Sequence, residues 1–476
     1  MFLKDKITSE PGFQYVVDAV ELMSAAGRRR MLQQPLMRNA ADINAEYDNI
    51  DAISACLQNE SMKREVDIIR HQLMQMHDLQ GTLTRLAHGA VLEEIELFEL
   101  KSFAFLCRNT IKAAKAMKVD HVLRIPDVDD VFVMLDPDAT GIPNFYIYDS
   151  YHPDLPELRK QMKALQTRLD GGKAGSDESS ALQRQINELF EKHNAIQQQV
   201  IVSLSARLVA CQPRLQQALD SMAYTDLLFA KATLAKQWHL CRPEVHDSGR
   251  GSHFDSLWNP RLCHRNGQLG LRYQPVDIEV RGGVCLITGA NMAGKTVLLK
   301  TVGIAQLMAQ FGFFVPAATA EVGVVDDVVF CIGDEQNEMN GLSSFASEIT
   351  KISVILERAR QENLLILIDE PARTTNPIEG KAIVQAIATL LDRQPSATLI
   401  TTHYSQLGLT CRRLRVRGFV EDMADIPLSP DNINRFMDYS LMPDDGDEVP
   451  QEALRIASIL RCDAELLDTA RSFAER

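Results

Sequence analysis

The chain has 476 residues and a formal net charge of −14, with a sequence pI near 5.3; that length suits two to four domains, each with its own core. No apolar run reaches the ~18 to 20 residues of a membrane span, and Met1-Phe-Leu-Lys-Asp-Lys6 lacks the apolar core of a signal peptide, which predicts a cytoplasmic protein with no membrane partner. Nine cysteines, odd in number, scattered and never in C-x-x-C spacing, argue for reduced thiols over a disulfide framework or a zinc site.

From about residue 11 to 118 the apolar spacing is three and four, a helical pattern. Val131–Asp138 and Asn144–Asp149 read as two short strands around a Gly/Pro turn. Two long polar helices follow, Leu155–Leu169 and Ala181–Val209, joined by an exposed loop from Asp170 to Ser180. Arg214–Trp238 is another helix. Residues 245 to 281 look irregular, and His253 and His264 there are spaced too far apart for a metal site. The acidic average does not exclude nucleic acid, because phosphate binding draws on local Lys/Arg clusters. Arg28-Arg29-Arg30 and Arg412-Arg413-Leu-Arg415-Val-Arg417 are the dense clusters, and each reads more simply as a solvated or ion-paired face.

From Val284 onward strands alternate with helices, the pattern of a parallel α/β domain. The apolar strand from Val284 breaks into Gly289-Ala290-Asn291-Met292-Ala293-Gly294-Lys295-Thr296 and then into a helix beginning at Val297. This is the G-x-x-x-x-G-K-[ST] phosphate-binding loop, whose backbone N–H groups and helix N-terminus solvate phosphates. Lys295 would reach the β/γ-phosphates of ATP and Thr296 would hold Mg²⁺. Asn363–Glu370 is an apolar strand that ends in two carboxylates, the form that delivers Asp369 to Mg²⁺ and Glu370 to the attacking water. Ala397–His403 is a third strand ending on the same rim, with His403 a structural histidine or a sensor of the γ-phosphate or water. A Ser/Asn/Gly loop after the strand Val324–Ile332 caps a helix that runs to about Arg360.

Thr288–Thr296, Gly333-Asp-Glu-Gln336, Leu342-Ser-Ser-Phe345, Asp369-Glu370 and Thr401-Thr-His-Tyr-Ser405, in that order, are similar to the MutS ATPase domain. Upstream, Ala26–Leu36 and His77–Gly89 resemble landmarks of the MutS helical core or lever domain, and the helix pair from Leu155 to Val209 stands where that family carries a helical arm. The resemblance implies an α + α/β chain: a helical core/lever domain over 1–244 with an arm at about 154–212, then a P-loop, ABC-type ATPase domain over 245–476 with a mostly parallel sheet. It also implies an ATP- and Mg-dependent homodimer with composite sites, in which Ser343 or Ser344 reaches the nucleotide of the other subunit.

Departures from the family pattern shape the expected function. Pro371-Ala372-Arg373-Thr374-Thr375-Asn376-Pro377 replaces a glycine-rich segment after Asp-Glu, and Ala290 and Ala293 stand where Pro and Gly are usual. The chain resembles a short form without the mismatch-reading domain or the Smr nuclease. Two activities fit: ATP turnover coupled to binding or clamping double-stranded or branched DNA without mismatch reading, or ATP-dependent remodelling of a protein client such as a cobalamin-dependent aminomutase.

Overall fold

The computed structural model describes the chain except residues 10, 172–175, 248, 250, 291–292, 334–343, 421–434, 445–453, 455–456, 459–461 and 475–476. It divides into two compact units, one made of Met1–Val20, Gln33–Asn49 and Thr233–Arg476, the other of Glu21–Leu32 and Ile50–Ala232.

The second unit is helical; the helical residues within Met1–Val20 and Gln33–Asn49 belong to the first. After α1 (Leu3–Ser9) and α2 (Pro11–Asp18) come α3 (Ala25–Leu32), α4 (Ala40–Gln58), α5 (Lys63–Met74), α6 (Gln80–Ala87), α7 (Glu94–Ala116), α8 (Asp120–Leu123) and α9 (Asp129–Met134). Helices α10 (Leu155–Asp170) and α11 (Ser176–Val209) pack on one another, and α12 (Gln212–Gln237) follows. Helix α7 shows why these sequences fold as they do. Glu93 and Glu96 form a reciprocal capping box at its start, satisfying N–H groups that a helix end leaves unpaired. Its face Leu97, Leu100, Ala104 and Cys107 is fully buried, the three-and-four spacing of a core stripe.

The two strands expected between Val131 and Asp149 are not formed. Val131 and Phe132 are buried in α9 instead, and the segment beyond it is organised by a buried cation. Lys101 is fully buried and donates to Asp136 Oδ1 at 3.0 Å, to the Tyr148 hydroxyl at 2.7 Å and to the Asn144 carbonyl at 2.8 Å. A backbone carbonyl of the second expected strand, that of Asn144, is thus held by a side chain 43 residues away, which periodicity does not reveal.

The first unit carries two sheets. A four-stranded sheet, in the order β1-β5-β2-β3, joins β1 (Glu244–His246), β2 (Ser252–Leu257), β3 (Val276–Val280) and β5 (Thr319–Gly323), with α13 (Pro260–Gln268) between β2 and β3. The irregular stretch expected from Val245 to Arg281 is therefore mostly strand and helix. Its pairing partner β5 lies far along the chain and no local turn announces it. His264 packs among Tyr15, Trp238 and Trp258, and burial holds its pKa below the ordinary value.

The larger sheet has the order β10-β9-β4-β8-β7-β6. Its strands are β4 (Gly283–Thr288), β6 (Asp327–Cys331), β7 (Leu364–Asp369), β8 (Ala397–Thr401), β9 (Arg412–Phe419) and β10 (Met437–Pro443), all parallel except the β9/β10 pair. Helices α14 (Lys295–Gln310), α15 (Ser344–Ala359) and α16 (Pro377–Leu391) cross between strands, and α17 (Ala464–Ala474) comes last. Leu364 to Ile368 are each no more than 1% exposed. Such a strand is buried on both faces, and each side chain contributes about 2 kcal/mol of transfer free energy. The arginines of β9 are engaged: Arg412 with the Glu279 carbonyl and carboxylate, Arg417 with Asp438.

This division places Met1–Val20 and Gln33–Asn49 with the chain from Thr233 onward. Phe13 stacks on Phe311 with centroids 5.7 Å apart, the Tyr47 hydroxyl donates to the Ala309 carbonyl at 2.9 Å, and buried Lys6 pairs with buried Asp327 at 2.6 Å. The first helices belong to the unit that carries the two sheets because their apolar and charged faces are completed there.

The Lys101 network generates a stability test. Burial alone would raise the Asp136 carboxyl, but hydrogen bonds from Thr140, the Gly141 N–H and Lys101 outweigh it and hold the group well below the usual carboxylate range. A depressed folded value means that the contribution is complete above the unfolded value of roughly 3.9 and is lost as pH falls through the folded one. Lys101→Met should cost about 3 kcal/mol, the usual result of stripping one partner from a buried pair, when followed by denaturant unfolding at neutral pH. Unchanged stability would show that the network does not organise this segment.

Candidate functional site

Strand β4, the loop after it and α14 form one continuous device. Gly289 (φ 142°) and Gly294 (φ 75°) lie in backbone conformations that L side chains rarely adopt, so both positions call for glycine. Gly294 caps α14. Lys295 folds back over the loop and donates to the carbonyls of Gly289 at 2.8 Å and Ala290 at 3.0 Å. Burial pulls its ammonium below the ordinary lysine value, while Glu370 and Asp369 act in the opposite sense. Ala293 is buried and Val297 half-buried in the first turn; Asn291 and Met292 lie outside the described residues.

Register delivers the remaining groups. Thr401 is the ladder partner of both Ile287 on β4 and Asp369 on β7, so the three strands end in line, at the carboxyl edge where open α/β sheets bind ligands. Thr296 Oγ1 donates to Asp369 Oδ2 at 2.7 Å, and Thr401 Oγ1 donates to Asp369 Oδ1 at 2.6 Å. The Glu370 N–H donates to Thr401 Oγ1 at 2.9 Å. Glu370 then sits between two cations, Lys295 Nζ at 3.5 Å from one oxygen and Arg373 Nη1 at 3.6 Å from the other. Thr401 was not foreseen as part of the site; the signal was present as a polar residue closing an apolar strand.

The donor set fits a magnesium nucleotide. Among the described residues no group of three or more His, Cys, Asp or Glu could hold a metal ion. The Thr296 hydroxyl and Asp369 carboxylate are instead a pair of hard oxygen donors, the partial shell that Mg²⁺ takes when substrate phosphates and water complete it. An anion brought to the loop would also relieve the desolvation of Lys295.

Around this centre the backbone is strained. Glu370 has φ 43° although a proline follows it, and Ala372 has φ 59°; a left-handed non-glycine residue costs about 1 kcal/mol or more, and such residues cluster at functional sites. His403 is half-buried, its ring centroid 4.3 Å from that of Tyr404. Ser343 lies outside the described residues, and Ser344 opens α15 with its side chain undescribed. One aromatic escaped the sequence reading. The Tyr439 ring lies against Gly294, where an added Cβ would come within 3.1 Å of it, and its N–H donates to Gln274 Oε1 at 3.1 Å. It stands on β10, a strand with no periodic signature of its own.

Residues 285–471 match the family model of MutS domain V. The chain is 30% identical over 371 residues to an endonuclease MutS2 of Geobacillus thermodenitrificans, covering 71% of this chain and 45% of that protein. It is 27% identical over 462 residues to a DNA mismatch repair protein MutS of Chlorobaculum parvum, covering 83% and 51% respectively. An endonuclease MutS2 of Agathobacter rectalis is 35% identical over 233 residues, 48% of this chain and 28% of that protein. The chain spans about half the length of these relatives or less. The similarity runs through the nucleotide loop and far upstream of it, and on that ground the chain belongs to the MutS family.

Proposed function

We propose that this chain is a Mg-dependent ATPase of the MutS type that couples ATP turnover to DNA. The observation that carries the reading is the Thr296–Asp369–Thr401 hydrogen-bond chain, with Lys295 and Glu370 held within 3.5 Å of each other above it. Lys295 would exchange its two loop carbonyls for phosphate oxygens, Thr296 and Asp369 would hold the metal, and residues Gly289 to Val297 would cradle the phosphates. When bound, Mg²⁺ neutralises charge developing on the phosphates. Glu370, released from Lys295 by that exchange, accepts a proton from the attacking water, and His403 senses the γ-phosphate or that water.

Glu370→Gln should keep ATP affinity and cut turnover by ~10² to 10⁴-fold, the usual size of a lost general base. Lys295→Ala should abolish saturable ATP binding instead. Normal turnover by Glu370→Gln, measured as phosphate release, would show that another group activates the water.

The names of these relatives, DNA mismatch repair protein and endonuclease, support DNA over a protein client as the object of this cycle. A homodimer with Ser343 or Ser344 completing the partner's site belongs to the same proposal. We further propose that the arm holds DNA by its backbone and does not read a mispair. Acids and bases are roughly balanced along α10 and α11, and their one aromatic, half-exposed Phe190, is flanked by Glu188 and Glu191. Kinking a base step requires an inserted apolar wedge, and carboxylates beside it would repel phosphate. Duplex affinity should fall steeply with salt, and matched and single-mismatch duplexes should bind within about threefold, roughly 0.7 kcal/mol. Titration of labelled duplexes at several salt concentrations decides it; a tenfold preference for the mispair contradicts the backbone-only reading.

A further inference from the structure

The peptide of Ala372 is gripped from several sides. Its N–H donates to Glu348 Oε2 at 3.2 Å, and its carbonyl accepts the Tyr404 hydroxyl at 3.1 Å. Gly380 on α16 leaves the space for that hydroxyl, since a Cβ there would collide with it. Ala372 is fully buried and left-handed, a conformation alanine keeps only when its surroundings over-determine it. Released from those bonds, it would relax toward negative φ. Such a relaxation would swing the neighbouring residues, and those include Glu370, itself left-handed, and Arg373, which touches the Glu370 carboxylate.

Both gripping side chains are anchored in other parts of the site. Glu348 stands in the second turn of α15, the helix that Ser344 opens. Tyr404 follows His403 at the end of β8, and its N–H is fixed by Thr402 Oγ1 at 3.0 Å. Glu348 is half-buried; burial raises its carboxyl, and the Ala372 N–H and the Arg373 charge oppose that. The acceptor is thus sheltered from water, where a hydrogen bond has few competitors.

We infer that Glu348 and Tyr404 are positioning residues for Glu370, acting through the strained Ala372 peptide and tying the aim of that carboxylate to the start of α15 and to the strand end that bears His403. The inference rests on the reading of Glu370 as proton acceptor. Neither side chain touches the reacting atoms, so their loss should appear in kcat and not in nucleotide affinity.

The test is steady-state ATP hydrolysis by the full chain, paired with equilibrium titration of a fluorescent ATP analogue. Tyr404→Phe keeps the ring beside His403 and removes the hydroxyl; it should lower kcat roughly 10- to 100-fold, the scale of a misplaced catalytic group, with KM and analogue affinity unchanged. Glu348→Ala should do the same, and Glu348→Gln, whose amide oxygen still accepts, should recover most of the loss. Ala372→Gly, which removes the strain, should recover part of the rate lost by Tyr404→Phe. In a Glu370→Gln background Tyr404→Phe should add nothing, because it acts through that carboxylate. Wild-type kcat in Tyr404→Phe and Glu348→Ala, a proportional loss of analogue affinity, or full additivity with Glu370→Gln overturns the inference while leaving the ATPase reading intact. A wild-type chain that binds the analogue yet hydrolyses no ATP removes the reading and the inference together.

Discussion

The hydrogen bond between Thr296 and Asp369 is the constraint on which the site depends. It joins the first turn of α14 to the end of β7, two elements 73 residues apart, and it can form only if β4, β8 and β7 lie parallel and end in register. Parallel pairing needs long crossovers, so the positions of α15 and α16 are consequences of the same requirement. Close contact between α14 and the sheet follows too: Gly303 faces Phe330 and Leu367 so tightly that a Cβ would clash with both. What looks like a local loop motif is therefore a property of the whole sheet.

How much of this was legible in the sequence depends on where each partner lies. The P-loop, the Asp369-Glu370 pair and the strand before His403 are contiguous signals, each a short apolar run ending in polar residues, and they emerge together at one edge. The small sheet escaped because β1 and β2 pair with β5, beyond the P-loop helix. The expected strands before Asp149 failed because Lys101 satisfies the carbonyl of Asn144 and the hydroxyl of Tyr148, a solution set by one buried ammonium and not by alternation. Phe13, Tyr47 and Lys6 find their partners hundreds of residues away, and no local signal announces those contacts. Thr401 and Tyr439 show the same limit inside the site: register and packing make them functional candidates, Thr401 within a stretch read for His403 and Tyr439 within none.

The departures from the family pattern acquire a physical meaning in the strained loop. Ala372 occupies a left-handed position that glycine would hold without cost, and its two hydrogen bonds and the space left by Gly380 are what keep it there. Replacement of a glycine-rich segment by Pro371 and Ala372 exchanges backbone freedom for a fixed, clamped turn. The substitutions at Ala290 and Ala293 are of another kind, since Gly289, Gly294, Lys295 and Thr296 retain the loop's positive-φ positions, cation and hydroxyl.

The central claim is that Thr296 and Asp369 hold Mg²⁺ for a nucleotide seated on the loop. Its most direct test is an equilibrium titration of ATP against the full chain, with Mg²⁺ and after its removal by a chelator, for the wild type and Asp369→Asn. The account predicts one ATP per chain, an affinity strengthened by Mg²⁺ in the wild type, and loss of that metal-dependent gain in Asp369→Asn with the metal-free affinity preserved. An affinity that ignores Mg²⁺, or an Asp369→Asn chain that keeps the full metal dependence, would contradict it.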